Sequence, residues 1–258
     1  MPARPYIIAE TNWKDVQETD YEVAVLPWGA TEAHNYHMPY ATDNYQVEHV
    51  CAAAAKIAWE AGAKVGVLPA IPFGVQTGQL DIEFCINMGP GTQAAVLRDV
   101  GESLAIQGIP KLVVVNGHGG NCFKQMMREL QADNPEVFFS MVHWWCAADA
   151  KAFFDEPGDH AGELETSCMQ FIKPEIVQPL SEAGDGSTNP SKLKAIRDGI
   201  AWAQRDWLRA TNDTGDGDPK ASSPEKGEAF LNACSQRIAE YFIELAEANT
   251  EDLYERPS

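Results

Sequence analysis

Long apolar runs are missing from this chain. No stretch of its 258 residues approaches the roughly 20 consecutive apolar side chains of a membrane-spanning helix. The opening MPARPYIIAETNW has neither the basic start nor the apolar stretch and small-residue cleavage site of a secretory leader. Positive charge is scarce as well: 19 Lys and Arg against 38 Asp and Glu leave a net charge of −19, with no local basic cluster. Such a field repels phosphate backbones and anionic membrane surfaces, which argues against nucleic acid and lipid as partners. C-x-x-C pairs are absent too. The six cysteines, Cys51, Cys85, Cys122, Cys146, Cys168 and Cys234, are scattered through a chain large enough to fold without disulfide staples, so they read as reduced thiols of a cytoplasmic protein.

What is present is ordinary globular composition, 45% hydrophobic and 22% charged, enough for a substantial core. With no internal repeat and no linker, residues 1–258 read as one domain. β-branched and apolar runs at 21–27, 64–69, 111–115 and 136–143 predict strands, and the stretches 43–61, 91–107 and 119–133 between them predict helices. That alternation implies an α/β fold, a mostly parallel central sheet covered by helices on both faces. Further helices are expected over 162–172, 190–209 and 224–247, with the polar run TNDTGDGDPKASS as a loop whose Asp and Gly residues supply turn chemistry rather than a calcium site.

In open α/β sheets ligands sit beyond the carboxyl ends of the strands, so the strand-to-helix loops are the place to look. The loop after the first strong strand carries Glu32, His34, His37 and Asp43 with no basic residue among them, a metal-ligand inventory. In extended chain Glu32 and His34 point to one side. Asp43 follows Thr42 at a helix start, where capping is the competing role. A second loop, Asn116-Gly-His-Gly-Gly-Asn121, leaves an apolar strand. It lacks the Gly-Lys-Ser/Thr ending of a P-loop and the G-x-G-x-x-G spacing, and its glycines leave His118 uncovered while Asn116 and Asn121 can brace the turn. Cys122 next to it has no evident base. A third element, Asp159-His-Ala-Gly-Glu-Leu-Glu-Thr-Ser167, offers His160 and one of Glu163 and Glu165 to a shared cavity; the helix dipole alone explains a glutamate in a first turn.

Together GATEAHNYHMPYATD at 29–43, NGHGGN at 116–121, HAGELETS at 160–167 and GDGDPKASSPEKGE at 215–228 resemble the creatininase (creatinine amidohydrolase) family, in its Gly-Gly-Asn branch. The resemblance implies a three-layer αβα sandwich and a dinuclear centre: Asp43 bridging two ions, Glu32 and His118 on one, His34 on the other. Where creatininase has a further glutamate ligand this chain has Gly120, and Glu165 is expected to fill the vacancy. His160 falls at the family's catalytic imidazole, with Glu165 counted beside it. The implied cofactors are two divalent ions, zinc first and manganese or iron next. The implied activity is hydrolysis of a non-peptide C–N bond in a cyclic amide or formamide by a homo-oligomer, up to a hexamer. The alternatives are a short-peptide hydrolase and a metal-binding protein without hydrolytic activity. Glu156 stands where creatininase has a substrate-enclosing aromatic, and IEFCIN at 82–87 replaces the usual Glu-His, so the resemblance stops short of creatinine itself; Trp144 and Trp145 offer a compensating pocket wall, with core packing at least as fitting a role for one of them.

Overall fold

A computed structural model describes residues 4–255. Four parallel strands, β1 (Val23–Trp28), β2 (Val65–Val67), β3 (Lys111–Asn116) and β4 (Phe138–His143), form one sheet in the order β2-β1-β3-β4. Parallel neighbours need crossovers. These are α2 (Thr42–Glu60), α3 (Pro90–Ile106) and α4 (Lys124–Asp133), while the five-residue α1 (Trp13–Gln17) precedes the sheet.

The period of two along each strand divides the core. Val23 and Val25 of β1 join Val65, Val67, Val113 and Val115 on the face covered by α2 and the long α8 (Pro224–Glu247). Ala24, Leu26 and Trp28 join Leu112 and Val114 on the face covered by α3 and α4. Both faces are buried, which is why the strands read as continuous apolar runs rather than alternating ones. On α8 the buried residues Phe230, Leu231, Cys234, Ile238, Phe242 and Leu245 recur every three or four positions and form one stripe against α2 and α5 (Glu163–Ile172). Ser223 caps α8 through Lys226 N–H, and Pro224 occupies its first turn. Among the described residues no helix is long and apolar enough to cross a membrane.

Three expectations change. The helix expected over 119–133 begins only at Lys124, because the preceding residues are used as a turn. The helix expected over 190–209 is two four-residue pieces, α6 (Lys194–Arg197) and α7 (Trp207–Ala210), separated by irregular backbone with Gly199 at φ +71°. Short helices persist only when packing supports them, and here Leu193, Ile200, Trp202 and Leu208 stay exposed while Trp207 alone is buried. Trp144 and Trp145 belong to the core: Trp144 lies 5.9 Å from Phe230 and packs edge-on to Trp145, away from the cavity described below.

With β1 connected to β2 on one side and β3 lying on the other, the chain reverses direction across the sheet between β1 and β3. The carboxyl ends of these two strands, at Trp28 and Asn116, therefore open a crevice at a topological switch point.

The α5–α8 contact is close enough to require glycine: a Cβ at Gly227 would strike the Ser167 carbonyl. Gly227→Ala should lower stability by about 1–3 kcal/mol, the range for overpacking; a urea midpoint equal to wild type would show that the two helices separate without cost.

Candidate metal centre

The loop leaving β1 is held to the first turn of α2. Asn44 Nδ2 donates to Ala30 O at 2.8 Å, and its side chain fills the space a Cβ at Gly29 would need. Glu32 N–H donates to Tyr40 O at 3.0 Å. Asn35, at φ +55°, donates its N–H to Thr214 Oγ1, so the turn that aims His34 inward is braced from the polar run near the C-terminus. The Asn116–Asn121 turn behaves as its composition suggests: Asn116 Nδ2 donates to His118 O, and Asn121 Nδ2 to Asn116 Oδ1. Beside His160, the backbones of Gly158, Gly162 and Gly217 approach too closely for a Cβ, and His160 and Asp216 exchange backbone hydrogen bonds.

These loops bring Glu32, His34, Asp43, His118, His160 and Glu165 into one buried cluster. Asp43 does not cap α2, whose N-cap Ala41 has no side-chain cap bond. Its Oδ1 lies 3.1 Å from His34 Nε2 and its Oδ2 3.0 Å from His118 Nδ1. Glu32 Oε1 is 2.9 Å from His118 Nδ1, 3.8 Å from His160 Nδ1 and 3.9 Å from His34 Nε2. Glu165 Oε2 is 3.9 Å from His34 Nε2 and accepts the Ala161 N–H at 2.6 Å, with Ala161 at φ +54°.

The other nitrogen of each imidazole meets a backbone carbonyl: His34 Nδ1 donates to Glu32 O at 3.2 Å, His118 Nε2 to Val75 O at 3.1 Å and His160 Nε2 to Ala33 O at 2.8 Å. A carbonyl only accepts, so each of these nitrogens carries its hydrogen. In the neutral rings the inward nitrogens then present lone pairs to carboxylate oxygens, and Glu32 Oε1 and Asp43 Oδ2 are buried without a hydrogen-bond donor. Acceptors facing acceptors need a cation between them, and imidazoles locked by carbonyls are how proteins orient metal ligands. The donor set fits divalent metal. Three groups have their ligand atoms within 4.8 Å of one another: Glu32, Asp43 and His118; His34, Asp43 and Glu165; and Glu32, His34 and His160. Asp43 is common to the first two.

Without metal, protons must serve instead. Burial lowers the His34 pKa, but Asp43, Glu165 and Glu32 outweigh it and raise the value to about 10. His118 is likewise held well above its ordinary value, burial being overcome by Glu32 and Asp43. Burial pushes Glu165 up, whereas Glu32 is drawn well below the usual range because His118, His160 and His34 outweigh its burial.

Glu163 points elsewhere: it accepts from Glu156 N–H at 2.9 Å and pairs with Lys226. His37 bonds Thr166 Oγ1 at 2.9 Å, outside the cluster. At Gly120 a Cβ would strike His118 Nε2 and the Val75 carbonyl that accepts from it, so no glutamate can start there while that bond is made. The cavity over the cluster measures about 1120 Å³, and Cys122 lies on its wall. Much of the outer wall is the 188–210 strap, which includes the 190–209 segment expected as a helix. From it Trp207 packs 4.9 Å from the His160 ring, with the Arg205 guanidinium 4.2 Å over the indole. Nothing in the spacing of residues 190–209 signalled this.

The model of the creatininase family, creatinine amidohydrolase, matches residues 9–242. The chain belongs to the creatininase family. A creatininase-family crystal structure from Bacteroides fragilis, named as a candidate creatinine amidohydrolase, is 39% identical and superimposes with a TM-score of 0.91 over 97% of this chain and 99% of that one. The mycofactocin precursor peptide peptidase of Mycobacterium tuberculosis is 28% identical over 84% of each chain. The creatinine amidohydrolase of Pseudomonas putida is 25% identical over 92% of this chain and 96% of its own.

The buried imidazoles fix a pH dependence for the metal-free creatininase-like chain. A His34 pKa of about 10 against an ordinary 6.5 means stability fully present below pH 6.5 and lost as pH rises through about 10. Melting of chelator-treated protein should fall between pH 7 and 10, and metal should remove most of that slope; parallel curves would contradict the charged cluster.

Proposed function

We propose that this protein is a dinuclear metal-dependent amidohydrolase that cleaves a non-peptide C–N bond, in a cyclic amide or a formamide. The observation that carries the reading is Asp43, whose two oxygens each face a different imidazole at about 3 Å. Glu32, Asp43 and His118 would hold one ion, and His34, Asp43 and Glu165 the other. Zinc is the first choice, then manganese or iron, since mixed nitrogen and oxygen donors suit all three; solved creatininases of this fold include a manganese form and a zinc–zinc form of a mutant. Bound there, two divalent ions supply Lewis-acid polarisation of a carbonyl and a hydroxide nucleophile at neutral pH.

The chain's own residues supply the rest. His160 keeps Nε2–H on Ala33 O, which leaves Nδ1 on the side of Glu32 as the atom that takes a proton and returns it to the departing nitrogen. Trp207 and His34, with ring centroids 4.9 and 4.1 Å away, limit the tilt of that imidazole. Glu165, tied to Ala161 N–H through Oε2, stands next to His160 as the second catalytic group. Metal storage without catalysis is disfavoured by the open cavity above the cluster, since a structural metal site is closed by its ligands. A short-peptide substrate is the second reading, favoured by the peptidase relative and by a cavity roomier than one small ring requires.

We also infer a cytoplasmic homo-oligomer, up to a hexamer. The six free thiols suit a reducing compartment, and exposed Leu80, Phe84 and Trp202 are the kind of apolar surface that subunit contacts cover.

Two variants test the mechanism. Asp43→Ala should lose most of both ions by elemental mass spectrometry, where wild type carries about two per chain. His160→Ala should keep them while turnover of amides and formamides drops roughly 10²- to 10⁴-fold. A metal-free wild type, or a His160→Ala enzyme of full activity, would remove the reading.

A further inference from the structure

Glu32 is gripped on its far side by hydrogen bonds that no proton-transfer step uses. Its Oε2 accepts from Gln79 Nε2. Gln79 Oε1 accepts from the Cys85 thiol at 3.2 Å, and Cys85 Sγ accepts from Ala33 N–H at 3.2 Å. The ring closes on the residue next to Glu32, and Glu32, Gln79 and Cys85 are all buried. Its direction follows from chemistry. A backbone N–H only donates, so the sulfur accepts it and the thiol hydrogen is free for the Gln79 carbonyl oxygen; the amide must then turn its NH₂ toward Glu32.

This occupies Oε2 and leaves Oε1, the oxygen 2.9 Å from His118 Nδ1 that has no donor of its own. Gln79 closes a 3₁₀ turn, Thr77–Gln79. The turn is fixed from outside, because a Cβ at Gly78 would strike the Arg205 carbonyl of the strap.

We propose that Gln79, backed by Cys85, is a positioning residue that presents Glu32 to metal through Oε1 alone; the inference rests on the metal centre proposed above. Its loss should cost 10- to 100-fold in affinity for one of the two ions, the usual effect of removing a partner of a ligand.

The test uses the full chain, stripped of metal and titrated with zinc against a chromophoric chelator, and separately loaded with cobalt(II) for its visible spectrum. Gln79→Ala and the similarly sized Gln79→Met should each weaken one ion and alter the cobalt bands. Cys85→Ala should do so to a smaller degree, and Cys85→Ser, which keeps a donor, should stay near wild type. Wild-type affinities and spectrum in both Gln79 variants, with wild-type metal-free melting, would overturn the inference and leave the metal centre standing. A wild-type chain that binds neither zinc nor cobalt would overturn both.

Discussion

Asp43 is 1% exposed, with each oxygen about 3 Å from a ring nitrogen of a different histidine. Burying a carboxylate costs far more than burying a neutral group unless positive charge meets it. Glu32 is buried beside it and Glu165 is mostly so, and among the described residues these carboxylates form ion pairs with histidines and with no Lys or Arg. The only positive charge available is a proton on an imidazole or a metal ion. Since the carbonyls of Glu32, Val75 and Ala33 already hold one hydrogen of each ring, the inward nitrogens are free to receive either. The same electrostatic demand therefore links metal affinity, proton uptake and folding stability.

The surrounding architecture answers that demand with elements far apart in sequence. β1 and β3 end side by side, so Glu32 and His34 arrive from one loop and His118 from the other. The first turn of α2 contributes Asp43 where the helix dipole favours a negative charge. α5 contributes Glu165, and its N-terminal approach contributes His160. Glu163 and Glu165 are two residues apart on that helix, about 200° around its axis at 3.6 residues per turn. One therefore reaches His34 while the other meets Lys226 and Glu156 on the opposite side. The left-handed conformations of Asn35 and Ala161, each next to an inward histidine, are the kind of local strain that functional sites store and the rest of the fold sustains.

The sheet was legible because its strands are buried on both faces and so stand out as β-branched runs, and α8 because its apolar stripe keeps helical spacing over 24 residues. The meeting of the candidate ligands was legible because Glu32, His34 and Asp43 crowd one loop and His118 stands among glycines. What escaped depends on distance rather than local pattern. The 190–209 segment has helix-compatible spacing, but nothing covers its Leu193, Ile200 and Trp202, so Gly199 and the distant anchors Arg205 and Trp207 decide its path. Gln79 meets Glu32 across 47 positions of chain, and Trp207 reaches His160 from a different loop; neither pairing has a local signature. Trp144 and Trp145 misled because an aromatic pair after a strand reads equally well as pocket wall or as core, and packing against Phe230 decided for core.

The wall of the cavity is divided between core and strap in the same way. The cluster of histidines and carboxylates is held by the sheet, α2 and α5, whose positions are set by two hydrophobic layers and tolerate little change. The outer wall of the cavity is set by the strap, tied down mainly by Trp207 and by the Arg205 pairs with Asp159 and Asp216. Thr188, Lys192 and Trp202 stand on that wall, on a loop carried by a rigid scaffold, where binding residues are commonly placed. Side chains held by the core and side chains held by the strap therefore meet across one cavity, and it is such a site, not the fold that carries it, that sets what a protein does.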